Sequence, residues 1–459
     1  MTQAAWSVLL QWSRLGVNAA LFLIVARYLT LAEIGAFATA FAPIRLLQVV
    51  HKSGIADAYL VSDKGESQRS AFFTLSVSLG LSFTAILGLS ALILPDPIAH
   101  LMAALCPVPL IIGLSAIPEA TLRADLRIKA LALRTLIAQL FAAALALLAL
   151  NAGWGAASLV VFALINALVT AIISIALARV FPTSLPTRPA LRAALPDITH
   201  ISARDLAGGA TLPLMQLAVG AVLGLPAAGA FQIAARILSL LDALAISPIR
   251  YITLPHFAAL VETPSLSVAV LRSLRLTSLI ASFVYFGAMV VSADLLTISV
   301  GPAHTQITAP LLPAFCLLGL VGALAMSLNQ SLTAIGHTRL TLYRALANLM
   351  LTALLAIPAL MLSTTAAAAI LPLAATLVLT IYARVALPIL GINRRAALMA
   401  IAPALLAGAL MAISLTTAEV SLRNLPPMLR LVFKIGLGAG FYSALILALN
   451  SLPRRPVSL

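Results

Sequence analysis

Two arginines stand deep inside apolar sequence. Arg14 lies eight residues into the run Trp6 to Ala26, and Arg45 ten residues into the run Gly35 to Asp57. Each run is long enough to cross a bilayer as a helix, which needs roughly 20 residues. At ~1.5 Å per residue both arginines start more than ~10 Å inside the slab. A guanidinium at that depth costs ~2.5 to 3.5 kcal/mol on insertion scales unless it meets water or a partner. Ser7, Gln11, Arg14 and Asn18 recur at intervals of four, three and four, the spacing of one helical face, and Arg45, Gln48 and Lys52 make a second stripe. Two such stripes on adjoining helices form a wet, positive lining. The alternatives are structural pairing of Arg14 and Arg45 with buried partners and, for Lys52 at the end of its run, snorkelling to the interface.

The second half of the chain carries its own set. Gln232, Arg236 and Asp242 fall in the run 227–250, and Asp205 opens the run 204–224 on a face shared with Gly209, Leu212 and Gln216, where Pro213 permits a kink. The candidate cavity-lining residues are therefore Gln11, Asn18, Gln48, Gln216 and Gln232, with Asp242 and Asp205 as candidate ion-coupling groups. Pairing of Asp242 with Arg236 or another cation, and an interfacial or capping role for Asp205 beside Arg204, are the structural alternatives.

The elements that must position these residues are helices. Thr30-Leu31-Ala32-Glu33 has the Thr-x-x-Glu spacing of a capping box and starts the second helix. Pro43 removes the backbone donor that would reach Thr39, so a bend is expected two residues before Arg45. Apolar runs of spanning length recur at 70–94, 98–119, 131–151, 156–178, 204–224, 227–250, 268–292, 308–332, 342–362, 365–387, 396–416 and 428–450. With the first two they make about fourteen spans.

Composition agrees: 62% of the 459 residues are hydrophobic and 9% charged, with a mean hydropathy of +1.11. A soluble globule has about 25% charged residues. The fold class is all-α and polytopic. With a cytoplasmic N-terminus, 21 of the 28 Lys and Arg fall in inside segments and three, Arg27, Arg423 and Arg430, outside; Arg14, Arg45, Arg236 and Lys434 lie within spans. The net charge of +15 thus reflects topology and anionic lipid, not nucleic acid. The opening Met1-Thr2-Gln3-Ala4-Ala5 lacks a basic region and the first run is too long and too polar for a cleaved signal, so the first helix is expected to stay.

From Arg179 to Ala203 the chain holds four prolines with Arg188 and Arg192, which reads as a cytoplasmic linker with room for a short amphipathic piece. It divides the chain into an N-terminal lobe of six spans (1–181), the linker (182–203), a second lobe of six (204–390) and two additional helices (391–459). A short repeat supports the division. Leu29 to Phe37 aligns with Leu223 to Phe231 at an offset of 194, sharing Leu, Leu, Gly, Ala and Phe, at the turn between the first two spans of each lobe. Lobes related this way are parallel repeats about an axis along the membrane normal. Arg45 lies ten residues after Gly35 and Arg236 seven after Gly229, a difference close to one helical turn, so both are expected to face the seam between the lobes.

Other chemistry finds no residues to carry it. Gly436 to Gly440 has neither the lysine nor the spacing of a P-loop. The six histidines make no pair at metal-ligand spacing; His51, beside the second polar stripe, is the exception to watch. Cys106 and Cys316 sit in apolar runs as packing residues. No cofactor or metal is expected.

The stretches Leu23 to Phe37, Gly54 to Ala58 and Gly224 to Arg236 resemble the opening and second-half signatures of bacterial polysaccharide exporters of the multidrug/oligosaccharidyl-lipid/polysaccharide flippase superfamily. The resemblance implies a flippase of the bacterial inner membrane, with both termini cytoplasmic. It would carry a polyprenyl-diphosphate-linked oligosaccharide, lipid II-like or another polysaccharide precursor, outward by alternating access. It also implies that cavity arginines meet the diphosphate, and Arg14, Arg45 and Arg236 are the positions that fit. Guanidinium suits this because it offers planar, bidentate donors. The expected partners are the lipid-linked glycan, membrane lipids and glycan-polymerase machinery, with the chain acting as a monomer. A drug or cation antiporter of the same superfamily would want acids in the cavity; a membrane glycan polymerase or ligase would want a large outer loop. Cysteines introduced at 183–188 and at 420–424 should react with an impermeant thiol reagent from opposite faces of intact cells. Labelling of both from one face would sink the topology.

Overall fold

The computed structural model describes residues 3–61, 65–179, 186–261, 263, 265–422 and 425–451, and all regular structure among them is helical. In hydrocarbon a segment must satisfy every backbone N–H and C=O within itself, which an α-helix does locally. The chain is an all-α polytopic membrane protein.

In chain order the helices are α1 (Gln3–Tyr28), α2 (Leu31–Val49), a π-helical turn (Val50–Ile55), α3 (Ala56–Val61), α4 (Glu66–Ile93), α5 (Ile98–Leu105), α6 (Pro107–Ala124), α7 (Ile128–Asn151), α8 (Ala157–Ala178), α9 (Arg188–Gly209), α10 (Thr211–Leu223) and α11 (Leu225–Ala245). They continue as α12 (Ser247–Ala258), α13 (Leu266–Val290), α14 (Ser292–Ser299), α15 (Pro302–Thr308), α16 (Leu312–Ala334), α17 (Thr338–Leu362), α18 (Thr364–Ile389), α19 (Arg394–Leu422) and α20 (Pro427–Ser451). Packing groups the chain into two compact units, Met1–Gln232 and Ile233–Leu459.

All fourteen apolar runs coincide with helices. Among the described residues twelve stretches are long and apolar enough to span, and thirteen if α9 and α10, which meet at 56°, count as one broken span. The difference from fourteen is α1, a 26-residue helix whose described apolar portion is Gly16–Tyr28.

Three local features bear on these expectations. The stretch read as a linker is helical from Arg188, because Thr187 caps α9 by accepting the Ala190 N–H and Pro189 falls in the first turn, where no donor is needed. The bend in the seventh span falls between Gly209 and Thr211 and not at Pro213, which also sits in a first turn; Asp205 and Gln216 therefore belong to different helices. Pro43 lies inside α2 without ending it, and the irregular winding comes at the π turn, five residues past Arg45.

The repeat is visible as a contact within the first unit. α2 starts at Leu31 and α11 at Leu225, 194 residues apart. Thr30 caps α2 in a reciprocal box, its Oγ1 accepting the Glu33 N–H at 3.2 Å while Glu33 Oε2 accepts the Thr30 N–H at 2.8 Å. At the matching position before α11 stands Gly224, with φ +88°, a conformation open to glycine. A Cβ on Gly35 would overlap the Leu225 carbonyl, and one on Gly229 would overlap the Leu31 carbonyl. Exchanging the repeat copies maps each clash onto the other, so the two helix starts cross about a local pseudo-twofold. Gly35→Val or Gly229→Val should cost at least ~1 to 3 kcal/mol through overpacking and lower the melting temperature of the purified protein. Gly322→Ala, which meets open space, is the control. An unchanged melting temperature in Gly35→Val would show that the helices need not approach there.

Candidate anion-binding site

Arg45 is positioned by α2, whose start is held by the capping box and by the Gly35 crossing. Its Nη1 donates to Gln232 Oε1 of α11 at 3.4 Å, a long bond, and its guanidinium carbon stands 5.8 Å from the Phe41 ring centroid. Phe41 in turn stacks on Phe37, one turn earlier, at 5.4 Å. The side chain is half-buried. An aromatic face and an amide oxygen thus orient a guanidinium within a spanning helix, an arrangement able to present bidentate donors to an anion.

The other expected lining residues divide. Gln232 reaches Arg45. Gln216 is buried and donates to the Ala228 carbonyl at 2.9 Å, tying α10 to α11, while its Oε1 has no hydrogen-bond partner among the described residues. Asn18 and Gln48 are half-buried. Lys52 lies past the onset of the π turn, where wider winding breaks the α-helical register of the stripe, and is exposed. The side chains of Gln11 and Arg14 lie outside those described. Arg236, on the part of α11 in the second unit, is half-buried. Asp242 pairs with Arg250 of α12 at 3.2 Å, both side chains partly exposed, and Asp205 is half-buried on α9. His51 is fully buried in the π turn, its ring held between the carbonyl oxygens of Leu47 at 3.2 Å and Ser76 at 3.0 Å. Among the described residues no three His, Cys, Asp or Glu come together to hold a metal.

Two buried ion networks escaped the sequence reading. In the first unit Glu119 of α6 takes Arg123 at 2.5 Å and Arg134 of α7 at 3.2 Å; Arg134 also donates to Ser174 of α8 at 2.7 Å, and Arg123 reaches Asp57 of α3 at 3.7 Å. In the second unit Asp294 of α14, only 1% exposed, takes Arg430 at 2.5 Å and the fully buried Lys434 at 2.8 Å, both from α20, and Lys434 also reaches Glu419 of α19 at 3.3 Å. The signal that could have found the second network is the pair Arg430 and Lys434 at i, i+4, since a cation inside a span calls for an acid. Which acid answers it depends on helix packing.

These features define the class: an all-α polytopic membrane protein with arginines set into its spans. The chain belongs to the polysaccharide biosynthesis protein family, whose model matches residues 24–309, more than half its length. No curated protein matches its sequence. Its fold is similar to that of the lipid II flippase MurJ in an inward closed conformation, with a TM-score of 0.79 at 15% identity over 96% of this chain and 97% of that one. It is also similar to an inward-facing multidrug resistance MATE family transporter of the MOP superfamily, with 0.66 at 15% identity over 85% and 98%. A MOP superfamily transporter from Pyrococcus furiosus gives 0.56 at 15% identity over 84% and 95%.

Breaking the Asp294 network should be costly, because removing one partner strands a buried charge, typically at ~3 to 5 kcal/mol. Asp294→Asn is expected to lower the melting temperature of the purified protein more than Lys434→Met does, since it leaves Lys434 buried with only Glu419. The reverse order would assign the dominant role to the Lys434–Glu419 pair.

Proposed function

We propose that this protein is a flippase that carries a polyprenyl-diphosphate-linked oligosaccharide across the bacterial inner membrane by alternating access. The observation that carries the reading is Arg45: a guanidinium in a span, oriented by Phe41 and Gln232, in a chain of the polysaccharide biosynthesis family. A diphosphate crossing a low-dielectric slab needs fixed positive charge and directed donors, and arginine supplies both. The likeness to a lipid II flippase supports a lipid-linked cargo. An antiporter for cations would need open acids in its spans, and Asp242 is engaged by Arg250.

Arg14, Arg45 and Arg236 are the proposed diphosphate contacts. Each should be replaced by Ala and by Lys, with membrane abundance and glycan-lipid export measured side by side. Loss of one charge-assisted contact is expected to cost roughly 1.5 to 3 kcal/mol of substrate binding while leaving insertion intact. Lys should also impair export, because it lacks the planar fork. Normal export from an abundant triple-Ala protein would refute the assignment.

A further inference from the structure

Three cations on spanning helices, Arg134, Arg430 and Lys434, each meet a carboxylate within 3.2 Å. Arg344 does not. It lies six residues into α17, half-buried, and no carboxylate among the described residues pairs with it. Its guanidinium carbon stands 5.7 Å from the centroid of the Tyr382 ring on α18, and its Nε is buried without a hydrogen-bond partner. The Tyr382 hydroxyl is likewise buried and unpartnered, in a side chain 5% exposed. Asn348, one turn beyond Arg344 on the same face of α17, has a buried Oδ1 with no partner. Among the described residues, three polar groups from two packed helices thus stand without a protein partner.

We infer that Arg344, Tyr382 and Asn348 form a binding site in the second unit for a phosphate ester that also carries free hydroxyl groups. The donor set gives the chemistry. Guanidinium offers parallel N–H groups that match phosphate oxygens, and a phenol O–H adds a third donor. The Asn348 oxygen, which can only accept, calls for a hydroxyl on the ligand.

Depth agrees. α17 has 25 residues, about 37 Å at ~1.5 Å each, so it overhangs a ~30 Å hydrocarbon core by a few ångströms at each end. Arg344, about 9 Å from the helix start, then lies just inside the boundary that charge pattern assigns to the cytoplasmic face, within side-chain reach of headgroup phosphates. A snorkelling arginine would hold its whole guanidinium in water; this one buries Nε and faces a ring. The phosphate has two sources, a phospholipid headgroup such as that of phosphatidylglycerol or the polyprenyl-linked diphosphate of a glycan carrier.

The test is native mass spectrometry of the full-length protein titrated separately with phosphatidylglycerol, phosphatidylcholine and undecaprenyl-diphosphate-linked N-acetylglucosamine. The wild type should retain one molecule of phosphatidylglycerol or of the sugar-bearing carrier in preference to phosphatidylcholine, which lacks free hydroxyls. Arg344→Gln should weaken that retention roughly tenfold, and Tyr382→Phe should weaken it several-fold, each through loss of a charge-assisted donor. Preference for phosphatidylglycerol assigns the site to bulk lipid, and preference for the sugar-bearing diphosphate assigns it to the carrier. Equal retention by wild type and Arg344→Gln overturns the site. If Arg344→Gln does not accumulate, Tyr382→Phe decides, since it keeps the ring and its packing; undiminished retention by that variant overturns the site as well.

Discussion

Water is absent from the hydrocarbon slab, and a charge placed there must be answered by the protein itself or by a ligand. The two buried networks are the protein's own answer. Glu119 gathers Arg123 and Arg134 and so joins α6 to α7, with Ser174 adding α8. Asp294 and Glu419 enclose Lys434, with Arg430 at the rim, and so join α14, α19 and α20. An ion pair in such surroundings is costly to assemble and more costly to break, so its worth lies in specifying which helices meet. The second network helps seat α20, as does the Tyr442 hydroxyl, which donates to the Leu279 carbonyl of α13 at 2.8 Å.

Backbone proximity supplies the other constraint. Gly35 and Gly229 let the starts of α2 and α11 approach until a single methyl would collide with a carbonyl oxygen. Without a hydrophobic force between helices in lipid, close approach through small residues is the main source of packing energy. The crossing sets where everything further along α2 falls. Arg45 follows ten residues on, and its Cβ tilts back toward the helix start, toward the α11 segment that carries Gln232. The capping box at Thr30 and the left-handed glycine at 224 are two chemical solutions to the same requirement, a sharp entry into a helix at matching positions of the repeat.

Together these arrangements separate two uses of arginine. Where Arg123, Arg134 and Arg430 meet carboxylates, charge is neutralised and helices are fastened. Where Arg45 and Arg344 stand beside aromatic faces, the ring orients the guanidinium. The second use suits the proposed diphosphate cargo.

Class, helix positions and the repeat were legible in the sequence, because spanning length, hydropathy and the Thr30 and Gly224 turns are local properties. The place of Arg45 within an apolar helix was legible for the same reason. What the sequence could not show was partnership. Asp242 meets Arg250 and not Arg236. Lys434 finds an acid 140 residues away. From Arg188 the stretch read as a linker is part of a helix that breaks at Ala210, three residues before Pro213. Periodicity determines which face of a helix a side chain occupies; only the packing of helices distant in the chain decides what stands opposite that face, because in lipid the choice rests on close steric fit and charge matching between surfaces that hydropathy cannot tell apart.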